Sequence, residues 1–368
     1  VRDLLLPLLV LPFACSPAPL PASPPRIPSP PSVIAYASGY GPNIDVLSVD
    51  PLTGALTLRA KVPSFGSAPS FLSINRARTN LYALDESPAG RVGAYAIDPA
   101  TGGLSFLNAV SSGGNGPAHV SIDATDRFVF VANYGDGTVS VLPVGTAGKL
   151  SPPVQTLVVG AQAHMAVADP SNRFVFVPCK GSDYVAQFVF DGSTGRLTPN
   201  AVPRVATAAG AGPRHLAFHP NGKVAYLINE LDNTMTAYAF DARAGTLAAI
   251  ETRSTLPAVF TGKDTAAEVW VDPSGAWVLG SNRGDDSLVV FAVDPEAGTM
   301  TLKGHTKAGG VAPRDFAFDP SGSFVYVANQ KTSGVSTFRF DARDGSLTAT
   351  GAAFGVEGAS FVGLVRLP

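Results

Sequence analysis

One turn recurs through this chain and restricts its fold more than any other feature: Asp, three residues, Gly, one residue, then Leu or Met. It reads DPLTGAL from Asp50, DPATGGL from Asp98, DGSTGRL from Asp191, DARAGTL from Asp241, DPEAGTM from Asp294 and DARDGSL from Asp341. A degenerate copy, GTAGKL from Gly145, fills the gap between the second and third. Most steps are 47 to 53 residues, and the double step of 93 from Asp98 to Asp191 holds the degenerate copy. A second turn recurs independently, as DATDR from Asp123, DPSNR from Asp169, HPNGK from His219, DPSGA from Asp272 and DPSGS from Asp319. NRART from Asn75 is a divergent sixth copy.

Between the turns lie short apolar or alternating runs, which the stretch Gly212–Leu247 shows in full: His215–Phe218, Lys223–Ile228, Thr234–Phe240, then a fourth run, Thr246–Thr252. Runs of this length between Pro, Asn and Gly punctuation predict antiparallel strands joined by tight turns. Four strands per unit and a period in the forties predict β-propeller blades. Six full units occupy roughly residues 66 to 356. The first unit, Ser32–Lys61, lacks an initial strand, and Ala359–Arg366 offers a lone one. Together they make a seventh blade and remove the open sheet edges that an unclosed array would leave. The expectation is an all-β, seven-bladed propeller over residues 33–368 with the N-terminal strands paired to the C-terminal strand.

Net charge is −2 with 15% of residues charged, and no basic stripe points to nucleic acid. Residues 1–15 (VRDLLLPLLVLPFAC) combine a charged start with a short apolar core and predict a signal peptide, of lipoprotein type if Cys15 is lipidated. Residues 16–32 are a Pro-rich linker. These readings imply a cell-envelope location, periplasmic and anchored to the outer membrane through Cys15, with a cytoplasmic location as the alternative. Only Cys15 and Cys179 occur, so no disulfide within the domain is expected.

In a blade the start of the first strand and the end of the second meet at one mouth of the channel. Strand starts place Ser70, His119, His164, Arg214 with His215, Glu268, and Arg314 with Asp315 there. Strand ends place Glu86, Tyr134, Lys180, Glu230, Arg283 and Gln330 there, each after Asp85, Cys179 or one of Asn133, Asn229, Asn282 and Asn329. The four Asn recur too regularly for catalysis and suit local hydrogen bonding. Arg214 and Glu230 make either a structural ion pair or part of a site. Three guanidiniums at one mouth repel unless carboxylates or a bound anion separate them. No metal-ligand spacing, phosphate loop, haem motif or serine elbow occurs, so neither a metal nor a cofactor is expected.

The segments GPRHLAFHPNGKVAYLINE, ANYGDGTVSVLP, SNRGDDSLVVF and PRDFAFDPSGSFVYVANQ resemble the seven-bladed propeller lactonase family. That family includes propeller-type 6-phosphogluconolactonases and the fungal carboxy-muconate lactonizing enzyme. The resemblance implies a lactonase acting on an anionic, sugar-derived lactone, with His164, Arg214, Glu230 and Arg283 in the site. Glu230 or His164 would serve as base and acid, each requiring a near-neutral pKa, with Arg214 on the carbonyl oxygen. Arg283 would hold a phosphate or carboxylate, and Arg314, His119 and His215 would add substrate contacts. The family often carries an acidic residue where Cys179 stands and a His where Asp315 stands, both at the expected mouth. The alternatives are an exported, non-catalytic binding propeller and a muconate-type cycloisomerase. A purely structural Arg214–Glu230 pair predicts that Glu230→Gln lowers stability; a catalytic one predicts lost turnover at unchanged stability.

Overall fold

The computed structural model describes residues 33–367. The expected signal peptide and linker, with Cys15, lie outside them. Seven four-stranded antiparallel sheets form the chain, one per repeat. Blade 1 pairs Val33–Gly39, Asn43–Val49 and Leu56–Pro63 with the C-terminal strand Ala359–Arg366, which takes the innermost place. Blades 2 to 7 follow in order, with inner strands at Leu72–Ile74, Pro117–Ile122, Val167–Ala168, Pro213–Phe218, Ala266–Val271 and Pro313–Phe318. The only helical pieces among the described residues are two 3₁₀ turns, Thr146–Gly148 and Lys180–Ser182. No helix among them is long and apolar enough to cross a membrane.

Blade 5 shows how sequence becomes strand. Its second strand, Val224–Asn229, is buried at every position, because each sheet is sandwiched between two neighbours. The corresponding runs, FVFVAN at Phe128–Asn133 and FVYVAN at Phe324–Asn329, are likewise buried throughout. Outer strands keep one face in water, as in Thr246–Ser254, and there polar residues are tolerated. Seven apolar clusters result, one at each junction between adjacent blades. Truncating a buried aromatic in one of them costs roughly 3–5 kcal/mol.

The Asp-x-x-x-Gly turns also join blades. Asp241 Oδ1 accepts from the N–H groups of Arg243 and Ala244, a local cap that defines the turn. Gly245 sits at φ +68°, and a Cβ there would lie 2.1 Å from the Phe174 ring of the preceding blade. Glycine is therefore required twice over, for conformation and for close approach. The same contact closes the ring, since Gly54 of blade 1 packs on Phe324 of blade 7 and the Tyr326 hydroxyl donates to the Gly54 carbonyl. The second family of turns lies on the same face of the ring, away from the Arg/Glu/His mouth, and touches the first family: Asn221 Nδ2 donates to the Pro295 carbonyl and Trp277 Nε1 to the Ala342 carbonyl. Asp169 Oδ1 accepts from the N–H groups of Arg173 and Phe174, and Asn172 reaches across to Asp123 of blade 3.

Candidate active site

Second strands of three consecutive blades end by delivering Lys180, Glu230 and Arg283 to one place. Lys180 Nζ lies 2.7 Å from Glu230 Oε1, and Arg283 Nη2 lies 3.2 Å from Glu230 Oε2. Arg214, from the inner strand of Glu230's own blade, places Nε 3.2 Å from the same Oε2. The mutual repulsion of the guanidiniums is thus relieved by one carboxylate with three cations around it. Burial alone would raise the Glu230 pKa, but Arg214, Arg283 and Lys180 outweigh it and hold the group down at about 2. Burial and the neighbouring cations in turn bring Arg283 down to about 10.

The surroundings fix these side chains. Arg214 Nη1 donates to the Ala267 carbonyl at 2.5 Å, and Arg283 Nη2 donates to the Ala266 carbonyl at 3.1 Å. Lys180 also lies over the Tyr134 ring and donates to its hydroxyl at 3.3 Å. Arg314 stands apart. It has no carboxylate within salt-bridge distance among the described residues and lies over the Tyr40 ring, 5.6 Å from its centroid. Tyr40 in turn donates to Glu86 Oε2 at 3.0 Å.

A buried layer closes the channel beneath Arg214. His215 Nδ1 lies 2.7 Å from Glu268 Oε2, and Arg214 Nη1 lies 4.0 Å from that oxygen. Rings of His119 and His164 meet the His215 ring edge to face, with centroids 5.4 and 5.1 Å away, and Phe71 packs on His119. Burial, reinforced by nearby positive charge, pushes all three histidines well below their ordinary pKa, so they are neutral at pH 7. Burial likewise raises Glu268 to about 7, and raises Asp315 well above the carboxylate range with Glu268 adding to the effect.

The structure brings Arg214, Glu230 and Arg283 together at the mouth that strand order selects, with Arg314 on the neighbouring arc, while His164, 4% exposed, lies in the buried layer beneath them against Tyr134 and His215. Neither candidate base has the near-neutral proton affinity foreseen for it: three cations depress Glu230, and burial depresses His164. His119 and His215 do not reach the open face. With Glu268 and Asp315 they line the inner end of a cavity of about 900 Å³ that none of Arg214, Glu230 and Arg283 borders. That cavity runs to the opposite mouth, where Asp169-Pro170, Asp272-Pro273 and Asp319-Pro320 border it. Register shifts between Pro117 and His119, Pro213 and His215, and Pro313 and Asp315 mark bulges at the inner-strand starts. Bulges re-aim side chains, which simple alternation along the strand does not anticipate.

Cys179 also leaves the mouth. It is fully buried in the apolar cluster between blades 3 and 4 with its Sγ 3.7 Å from the Val159 carbonyl, and burial pushes its pKa up to about 12. The strand-end asparagines are structural, but through hydroxyls as much as backbone. Asn229 donates to Thr234 and Thr236, and Asn133 to Thr138 and Ser140, whereas Asn282 donates to the Thr255 carbonyl and Ser287. Lys180 carries a role that residue-type reasoning overlooked. The signal was present, because Lys180, Glu230 and Arg283 occupy one repeat position in three successive blades. Among the described residues no group of three or more His, Cys, Asp and Glu is placed to hold a metal ion.

A family profile described as "Lactonase, 7-bladed beta-propeller" matches residues 32–364. A 6-phosphogluconolactonase of Pectobacterium carotovorum is 38% identical over 183 residues, covering 50% of this chain and 55% of the relative. One from Serratia proteamaculans is 36% identical over 183 residues with the same coverage. The chain thus spans about half the length of the curated relatives it matches. The solved structure of a periplasmic gluconolactonase from Pseudomonas aeruginosa superposes with a TM-score of 0.85 at 30% identity, covering 92% of this chain and 100% of that one.

Proposed function

The chain belongs to the seven-bladed β-propeller lactonase family, and on that premise we propose that it hydrolyses an anionic, sugar-derived lactone at the mouth built around Glu230. The observation that carries this reading is the charge imbalance there. Lys180, Arg214 and Arg283 converge on the carboxylate of Glu230, only Arg214 meets a second one, Glu268 at 4.0 Å, and Arg314 has none. Such a surface favours a ligand that brings its own negative charge.

Opening a lactone requires water to attack the ring carbonyl, the oxyanion to be stabilised and the ring oxygen to leave as a hydroxyl. Arg214, held by Ala267 and Glu230, is a preorganised cation for the oxyanion, a contribution on the order of 10²–10³ in rate. Arg283, Lys180 and Arg314 supply the cations for a phosphate or carboxylate. Glu230 is fully ionised and takes the proton of the attacking water, or His164, neutral and with Nδ1 unpartnered, does so. A substrate anion that draws Lys180 and Arg283 away from Glu230 would raise its proton affinity at the moment a base is needed.

The names of the relatives support both a phosphorylated and a plain gluconolactone as substrate. The leader-like residues 1–15 and the periplasmic neighbour support an envelope location, with Cys15 as the lipid anchor. A panel of phosphorylated and unphosphorylated sugar lactones, assayed by acid release with the wild type and Glu230→Gln, tests the activity. Hydrolysis of at least one, lost in the variant, is the expected result. Tight binding without turnover would replace the lactonase reading with that of a binding propeller. Cell fractionation tests the location independently.

A further inference from the structure

We infer that Glu268 and Asp315 form a buried carboxyl pair that acts, through Glu268, as the positioning element for Arg214. The argument begins with geometry. The two carboxyls come from the inner strands of adjacent blades, Ala266–Val271 and Pro313–Phe318, and lie within hydrogen-bonding reach of each other. Two ionised carboxylates have no proton to place between them and repel, so such a contact requires one.

Their other bonds are fixed by the fold. Glu268 receives the Val269 N–H on Oε1 and faces His215 Nδ1 at 2.7 Å with Oε2. Asp315 Oδ2 accepts the Val362 N–H at 2.8 Å from the C-terminal strand that closes the ring. The pair therefore ties blades 5, 6, 7 and 1 together beneath the site. The charged and titratable groups facing it are His215 and Arg214 from blade 5 and Arg314 from blade 7, with the His119 ring packed on the far side of His215.

The consequence falls on Arg214. With one proton the pair carries one negative charge, and Glu268 Oε2, 4.0 Å from Arg214 Nη1, opposes the pull of Glu230 on the other side of the guanidinium. With two protons that counterweight is gone, and Arg214 is drawn toward Glu230 alone. Burial brings the second protonation into the neutral range. The pair is able to follow solvent pH because it lines the cavity of about 900 Å³ leading to the opposite mouth, so exchange does not depend on the substrate face.

The kinetic consequence rests on the lactonase reading; the titration itself does not. Two measurements separate them. Thermal unfolding is followed from pH 4.5 to 8 for the wild type, Glu268→Gln and Asp315→Asn. A folded-state pKa above the unfolded one means that the native protein binds the extra proton, so this stabilisation is complete below the unfolded pKa and is lost as pH rises through the folded value. The wild-type Tm should fall between about pH 5 and 7.5 relative to Glu268→Gln, in which that slope is missing. Wild-type and Glu268→Gln curves that run parallel would overturn the pair, whatever the enzyme does.

In the second measurement kcat/KM for a hydrolysed lactone should rise several-fold across a step near pH 7 in the wild type. The step should vanish in Glu268→Gln and return, displaced, in Glu268→Asp. An unchanged step in Glu268→Gln would refute the positioning role even if the Tm arm succeeds. Should Glu268→Gln fail to fold, Asp315→Asn carries both tests: the hydrogen bond from the protonated Asp315 carboxyl, which holds the Glu268 pKa down, gives way to a weaker amide donor, and slope and step move to higher pH. If they stay in place, the inference fails.

Discussion

Replacing Glu230 by Gln keeps the size of the side chain and removes the one carboxylate shared by Lys180, Arg214 and Arg283. The folded protein holds this group at about 2 against an ordinary 4.5, so the native state favours the ionised form by about 3 kcal/mol at roughly 1.4 kcal/mol per unit. Loss of a partner from a buried charge cluster has a similar scale, roughly 3–5 kcal/mol. For a chain of this length the unfolding entropy is roughly 0.7 kcal/mol/K, which converts the loss to a fall in Tm of roughly 4 °C. The pH sign is definite. A depressed carboxylate pKa contributes stability above the unfolded value, and that contribution disappears as pH falls from about 4.5 toward 2. Calorimetry at pH 7 should show the deficit in Glu230→Gln, and melts at pH 4.5 and 2.5 should show it closing. Added phosphate should restore part of the loss at pH 7 by occupying the three stranded cations. Stability would thus fall together with turnover, and the choice between a structural and a catalytic pair dissolves, because the same three contacts serve both. A Glu230→Gln variant as stable as the wild type at pH 7, or a deficit that persists undiminished at pH 2.5, would refute the account of the cradle.

Two further outcomes follow from single contacts. Arg314→Ala should leave Tm within about 1 °C of wild type, since only a half-buried cation–π contact of ~0.5–1 kcal/mol is lost, while raising KM for an anionic lactone about tenfold and sparing a neutral one in steady-state assays. Gly245→Ala should destabilise by more than ~1 kcal/mol in denaturant titrations, because its φ of +68° and the Phe174 ring at 2.1 Å exclude a methyl group; Gly222→Ala, also at positive φ but with open space around it, should cost less.

The fold was legible because its information is local and repeated seven times. Each Asp-x-x-x-Gly turn caps itself, each apolar run is the length of one strand, and the unpaired first repeat calls for the strand at Ala359–Arg366. The site was legible in part for the same reason. Residues at one repeat position share one height in the ring, which places Arg214, Glu230 and Arg283 at a single mouth with His164 just beneath. Bulges at the starts of the inner strands were beyond reach, since a register shift at Pro213/His215 or Pro117/His119 leaves no signature in residue type. Those bulges turn His119 and His215 into the channel. Cys179 was misplaced for a related reason: a strand-end position does not say whether its side chain faces the mouth or the neighbouring blade.

Sequence alone therefore determined the number of blades, the way the ring closes and the set of positions from which the mouth residues are drawn, because all of these depend on spacing along the chain. Only the tertiary structure decided what those residues are electrically. The depressed pKa of Glu230, the neutrality of the three histidines and the proton retained by Glu268 and Asp315 depend on burial and on charges 50 or more positions away in sequence, as Lys180 is from Glu230 and Glu268 from Arg214. Coulomb energies and desolvation depend on distances through space and on exclusion of water, and neither exists until the blades close into a ring.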